Sequence, residues 1–447
     1  MKGRSLKKSN LREKYARRLA DELLRVYLAP CGIGLGHITR AYPIAQELNS
    51  RHITTVFSTY LDGLEFAKRN HLPTFEAVPI NFKVTNDGEI DFKLTAATSG
   101  FSLGIRTLLR QLTQEIRFMK TFKPDVVFSD SRISSLVAGW LLRIPVVLML
   151  NQYRIEIIRR PSNKKLTKFD RFFFIIANLG WLFVRTAIQM VWGKSRIILI
   201  PDLLDPYTIS LGNLAIPRRY NGKIKLIGPI VRNEHRNGSS LLTNETGPSK
   251  KKPQIYAAVS GPKIERQVLN TILIGALSHL SKKYDIVLSK GDPQGKTKPK
   301  EMKGIQVFDW IRNQEDCMKA SDVIIGRAGH GIIMKSLTYG KPMLLIPIPD
   351  HTEQYGNSKR AESMGVAKVL DQNKVNFRKL DTLLQQLLKG DYNKNAIKVG
   401  KIASSLNAVQ VACNIIENYA SHSRDTSSSV QLSGSLGKSD SVDVDFS

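Results

Sequence analysis

Short runs of aliphatic and β-branched residues recur along the chain, and stretches with helical spacing separate them. In the first half Val26-Tyr27-Leu28-Ala29, Ile53 to Ser58, Asp125-Val126-Val127-Phe128 and Pro145 to Leu150 read as strands. A glycine-rich turn and a helix over 38–49 follow the first strand, and another helix lies between the last two. Strands that alternate with helices imply a parallel sheet covered on both faces. After a polar stretch from Asn233 to Pro253 the pattern restarts, with Ile255 to Val259, Asp285 to Leu288, Ile305 to Val307, Val323 to Ile325 and Met343 to Ile346 as strands. The prediction is two α/β units, each with its own doubly wound sheet. Their expected bounds are 24–232 and 254–420, joined by a linker over 233–253. A basic extension over 1–23 precedes them. The segment 421–447, with ten serines in 27 residues, is expected to be a disordered tail.

Composition narrows the chemistry. Of 447 residues 42% are hydrophobic, enough for large cores, while 67 Lys and Arg against 38 Asp and Glu leave a net charge of +29. Such an excess predicts an anionic partner: nucleic acid, a phosphate-bearing substrate or an acidic membrane surface. The three cysteines, Cys31, Cys317 and Cys413, are far apart, which excludes a disulfide framework and a thiolate metal cage and fits a reducing cytosol. Lys2, Arg4, Lys7 and Lys8 follow Met1 with no apolar run behind them, so no secretory signal is expected. Leu11, Tyr15, Leu19 and Leu23 recur at helical spacing among the basic residues, the pattern of an amphipathic helix or of a solvated extension. Phe172 to Val184 is uncharged for thirteen residues behind a basic cluster, too short for a bilayer span of about 20 residues. It reads either as a core helix or as a monotopic membrane patch.

Three loops carry candidate chemistry. Cys31-Gly32-Ile33-Gly34-Leu35-Gly36-His37 joins the first strand to its helix. Its glycines allow close backbone approach to a ligand, and the helix N-terminus favours negative charge. The spacing differs from the dinucleotide pattern G-x-G-x-x-G, and no acid ends the second strand, so a nicotinamide dehydrogenase is not expected. His37 carries an imidazole, whose reference pKa of about 6.5 suits a general base. In the second half Gly329-His330-Gly331 opens a helix and can cradle a diphosphate. Gln354 and Asn357, after the strand exit Pro347-Ile348-Pro349, would present two amides on one helical face to sugar hydroxyls. Asp202-Leu203-Leu204-Asp205, flanked by prolines, reads as a turn and not as a metal motif. No HExxH or Cys/His cage is present, and no metal or other cofactor is expected.

The G-x-G-x-G-H loop, followed about 300 residues later by Gly329-His330-Gly331, Gly340-Lys341-Pro342, Gln354 and Asn357, resembles the GT-B glycosyltransferases. The likeness is to the branch that holds the bacterial peptidoglycan N-acetylglucosaminyltransferase, the galactosyl-diacylglycerol synthases and related archaeal enzymes, and it covers residues 24–420. It implies two facing Rossmann-like domains with parallel sheets, the first binding the acceptor and the second a nucleotide-sugar, usually linked to UDP and for example UDP-GlcNAc. It also implies metal-independent inversion by direct displacement. By this resemblance His37 is the candidate general base, while Gly34, Gly36, Asp130 and Asn151 face the acceptor. Ser260, Gly261, Ile311, Gly329, His330, Gly331, Gln354 and Asn357 bind the donor, Ile311 pairing with the uracil through its backbone. One position departs from the pattern. Where the family places a glutamate on the ribose hydroxyls this chain has Lys335, and an ammonium cannot accept those protons. The nucleotide is then held differently, or another acid such as Glu353 substitutes.

The expected function is transfer of a sugar to a lipid or lipid-linked acceptor by an enzyme peripheral on the cytoplasmic, inner face of an anionic cell membrane. A nucleic-acid-binding role would explain the charge, but no RRM, helix-turn-helix or zinc-finger signature is present, and nucleic acid is not expected as a partner. A sugar-nucleotide epimerase of the same fold would need paired carboxylates in the cleft, which the sequence does not single out.

Overall fold

The computed structural model describes residues 23–79, 92–151, 182–183, 185–214, 218–231, 252–261, 263–349 and 351–436. The basic extension, almost all of the linker and most of the Arg159–Trp192 segment lie outside them.

The first unit runs β1 (Arg25–Pro30), α1 (Gly36–Ser50), β2 (Thr54–Thr59), α2 (Leu61–Arg69), β3 (Thr74–Glu76), α3 (Phe92–Phe122), β4 (Val126–Asp130), α4 (Ile133–Leu141), β5 (Val146–Met149), β6 (Ile197–Ile200) and β7 (Ile224–Leu226). Its seven strands are ordered β3-β2-β1-β4-β5-β6-β7 and pair in parallel throughout. The central strands are buried on both faces, hence their unbroken apolar runs. Strand order turns between β1 and β4, so the loops after these two strands open on one crevice at the carboxyl edge.

The second unit comprises β8 (Gln254–Ala258), α5 (Lys263–Ser278), β9 (Asp285–Ser289), β10 (Lys300–Met302), β11 (Ile305–Phe308), α6 (Gln314–Ala320), β12 (Val323–Gly326), α7 (His330–Thr338), β13 (Met343–Leu345), α8 (Thr352–Ser363), β14 (Ala367–Val369), α9 (Phe377–Lys389), α10 (Tyr392–Ser405) and α11 (Ala408–Leu436). Its order is β10-β11-β9-β8-β12-β13-β14, with only β10 antiparallel. The two-unit α/β architecture is the one expected. Five strands escape the sequence reading: β3, β10 and β14 are three-residue edge strands, β7 is equally short, and β6 follows a long apolar stretch that masks its start.

The units exchange segments. Helix α11 leaves the second unit and packs on α1, β1 and β4, where Ala408, Val409, Ala412, Cys413, Ile416 and Ala420 complete the core of the first. Arg51 meets Glu417 at 2.9 Å, and Arg424 meets Asp125 at 2.8 Å. In the other direction Leu203 and Ile209, in the loop after β6, are buried among Ala328, Ile333 and Leu337 of the second unit. The expected bounds are corrected accordingly: residues 408–420 belong to the first core. The expected disordered tail also begins too early, because α11 runs on to Leu436, anchored at Arg424 by its ion pair. Serine content hid this, since one apolar face every third or fourth position suffices to dock a helix.

Candidate active site

Between the units lies a cleft of about 930 Å³, walled on one side by the loop after β1 and on the other by the loops after β8, β11, β12 and β13. Local geometry dictates the glycines of the first wall. A side chain at Gly32 would meet the Tyr60 carbonyl oxygen at 1.9 Å, and Gly34 has φ +67°, the left-handed region that glycine adopts without strain. Gly34, Gly36 and His37 all line the cleft.

His37, in the first turn of α1, has its Nδ1 2.9 Å from Asp130 Oδ1 at the end of β4. Arg40, one turn along α1, donates from Nε to Asp130 Oδ2 at 2.5 Å and makes a second contact to Oδ1. Asp130 is fully buried. Burial opposes its ionisation, but the charges of Arg40 and His37 and their hydrogen bonds outweigh this and hold the carboxyl well below the usual carboxylate range. Arg40 Nη2 also lies 3.0 Å from His37 Nδ1. In the tautomer with its proton on Nδ1, Asp130 accepts that proton and Nε2 is the basic atom, the arrangement that orients a general base. Asp130 was expected to face the acceptor; its buried carboxylate is instead engaged by His37 and Arg40, so it acts on His37. Arg40 was not singled out, although its spacing of three from His37 on a helix places both on one face.

On the opposite wall Gly329, His330 and Gly331 lie at the N-terminus of α7, where a side chain at Gly329 or Gly331 would enter open space. His330 is nearly buried, and its Nε2 lies 3.2 Å from Asp202 Oδ2 of the first unit. Asp202 does shape a turn, accepting from the Leu203, Ile209 and Ser210 backbone N–H groups, but it also reaches His330 in the Gly329–Gly331 turn. Its carboxyl is buried, which raises its pKa, yet His330 and Ser210 hold it below the usual range. Ser260, Gly261 and Ile311 line the same wall. Trp310 packs edge-on against Phe66 of the first unit at 6.3 Å between centroids.

Gln354 lines the cleft and accepts from the Ile348 N–H at 2.9 Å, which leaves its amide NH2 to donate. Asn357 departs from the expectation: it is fully buried behind the Gly329–Gly331 turn and donates to the Ala328 carbonyl at 3.3 Å, so it supports that turn from behind. Asn151 spans the cleft, donating to Glu353 Oε1 at 2.6 Å. Glu353 is thus tied to the first unit. Lys335 lies 3.4 Å from Glu315 Oε1, and the Tyr339 hydroxyl donates to Glu315 Oε2 at 2.7 Å. Among the described residues no group of three or more His, Cys, Asp or Glu side chains converges to hold a metal ion, and no helix is long and apolar enough to cross a membrane.

Comparison with known proteins agrees with this geometry. Residues 264–412 match the model of the glycosyltransferase family 28 C-terminal domain. An uncharacterized glycosyltransferase of Methanosarcina mazei is 24% identical over 405 residues, covering 89% of this chain and 99% of its own. The UDP-N-acetylglucosamine--N-acetylmuramyl-(pentapeptide) pyrophosphoryl-undecaprenol N-acetylglucosamine transferase 2 of Bacillus cereus is 27% identical over 311 residues, 68% of this chain and 75% of its own. Among solved structures, MurG of Acinetobacter baumannii superposes with a TM-score of 0.53 at 15% identity over 88% of this chain and 99% of its own. The glycotransferase of kitacinnamycin superposes at 0.59 with 14% identity over 89% and 99%. Two facing parallel α/β sheets around one cleft define the GT-B glycosyltransferase fold. Over residues 264–412 the chain matches the C-terminal domain of glycosyltransferase family 28, and it is related to MurG and to uncharacterized archaeal glycosyltransferases.

Proposed function

We propose that the protein transfers a sugar, with inversion, from a nucleoside-diphosphate sugar of the UDP-GlcNAc type to a hydroxyl of a lipid or lipid-linked acceptor at an anionic membrane surface. The observation that carries this reading is the His37–Asp130 pair facing, across one cleft, the open glycine turn at the N-terminus of α7. His37 Nε2 takes the proton of the acceptor hydroxyl as its oxygen bonds to the anomeric carbon. The bond from that carbon to the diphosphate oxygen breaks, and the electron pair leaves with the diphosphate. The backbone N–H groups at the start of α7, with the helix dipole behind them, receive the developing charge. Gln354 donates to a sugar hydroxyl, while Gly34 and Gly36 admit the acceptor beside His37.

The choice of donor and acceptor draws on the relatives: the Bacillus cereus transferase is named for UDP-N-acetylglucosamine and an undecaprenol-linked acceptor. One solved relative, SsfS6 of a Streptomyces species, was crystallised with thymidine diphosphate. Incubation with a panel of nucleotide-sugars and lipid extract, read by mass spectrometry, tests the proposal. A single glycolipid product that depends on one donor is expected, and transfer only to a soluble acceptor would overturn the lipid assignment. With the leaving diphosphate met by α7 and not by a metal, turnover is expected to persist in EDTA. Loss of activity in chelator, restored by magnesium or manganese, would sink that part.

A further inference from the structure

This inference rests on the function proposed above, which sets the diphosphate at Gly329–Gly331. Ile311 lines the same wall, and a base placed there sends the ribose past the side chains that bridge these two positions. Lys335 lies five residues along α7 from His330, ~7.5 Å at 1.5 Å per residue. Glu315 lies four residues beyond Ile311, in the first turn of α6. The two side chains meet at 3.4 Å, and both residues line the cleft.

The pair is unusual for its place. Its side chains are only 13% and 8% exposed, so both charges are largely desolvated, a costly arrangement unless further hydrogen bonds complete it. Tyr339 satisfies Glu315 Oε2. The 3.4 Å approach of Lys335 is long for a charge-assisted bond and leaves Oε1 with capacity for another donor. A vicinal diol supplies what is missing: its hydroxyl protons go to the carboxylate, and its oxygens accept from the ammonium.

The geometry points to Glu315 as the carboxylate that binds the ribose hydroxyls of the donor nucleotide, with Lys335 as its neutralising partner and second contact to the diol. Lys335 therefore does not abolish a ribose site; the carboxylate arrives from α6 instead of α7.

Calorimetry tests this with uridine, guanosine and adenosine diphosphates, then with the 2′-deoxy and 3′-deoxy forms of whichever binds tightest, and with inorganic pyrophosphate as the control for the folded loop. The wild type is expected to prefer the ribose form about tenfold or more over at least one deoxy form. Glu315→Gln is expected to bind the ribose form about ten- to hundredfold more weakly, to lose that preference, and to retain pyrophosphate. Lys335→Glu, which sets a second carboxylate against Glu315, is expected to weaken binding. A Glu315→Gln protein that keeps the wild-type preference overturns the assignment. So does a wild type indifferent to both hydroxyls, a result that needs no variant to fold. A wild type that binds no nucleoside diphosphate overturns the transferase reading itself, which separates the two failures.

Discussion

The imidazole of His37 lies against the carboxylate of a residue 93 positions away, and the proposed chemistry rests on that pairing. His37→Ala is expected to lower kcat by about 10²- to 10⁴-fold with nucleotide affinity nearly unchanged. A parallel loss of UDP affinity and of folding stability would mark His37 as structural. Asp130→Asn keeps the shape but not the charge, so a large fall in kcat should accompany it. Asp130 also links stability to pH. Its folded carboxyl titrates below the ordinary aspartate range, so the unfolded chain takes up the proton first. The stabilisation is fully present above that range and is lost as pH falls through the depressed folded value. Denaturation midpoints across an acid series should therefore fall more steeply for the wild type than for Asp130→Asn. At the donor loop, Gly331→Val places a branched side chain in the space open to a diphosphate and should abolish UDP binding; normal UDP affinity in that variant would relocate the site.

At the scale of elements, nine of the fourteen described strands and the glycine-rich loops were legible because each announces itself locally. Val126-Val127-Phe128 is buried on both faces, and Gly32-Ile33-Gly34-Leu35-Gly36 sets three glycines in five residues, which disfavours helix and strand alike. Residues whose role comes from a distant partner were not legible. Asp130 looks like any acid at a strand end until β4 is set beside α1, and Asp202 looks like a turn former until α7 of the other unit supplies His330. Asn357, three residues from Gln354, shares its helix but turns inward to Ala328, because α8 presents different arcs to the cleft and to the diphosphate loop. Helix α11 was read by its serines in place of its apolar arc. Ile416 is fully buried in the first unit's core, so Ile416→Ala should cost about 2–5 kcal/mol. Urea unfolding followed by a probe in the first unit would measure it; a change below about 0.5 kcal/mol, the usual range for surface substitutions, would mean that α11 is not part of that core.

For the molecule as a whole, the charge of +29 is what the proposed role at an anionic membrane surface calls for. Leu182, Phe183 and Met190 are exposed, Phe183 by 76%, whereas Trp192 is buried in the first unit's core. The described residues of this segment thus run from exposed Leu182 and Phe183 into the domain that holds His37. Wild-type protein is expected to float with acidic liposomes and to be released as salt rises, since the attraction is screened over about 8 Å at physiological ionic strength. Changing Leu182 and Phe183 to Ser should reduce flotation. Equal flotation of both proteins would assign the docking to charge alone, and flotation of neither would point to a water-soluble acceptor.

The exchange of segments between the units also sets an order of events during synthesis. The first unit emerges from the ribosome with its seven strands, yet the helix that covers α1, β1 and β4 is encoded almost two hundred residues after its last strand. Until residues 408–420 appear, Ile44, Leu48 and Phe128 lack their final neighbours, and a nascent chain carries that apolar face bare through the making of the entire second unit. Chaperone binding should be longest-lived over this interval. A gene cut at the linker would yield a first half that starts to collapse but stays sticky, because the piece that finishes it is written at the far end of the message.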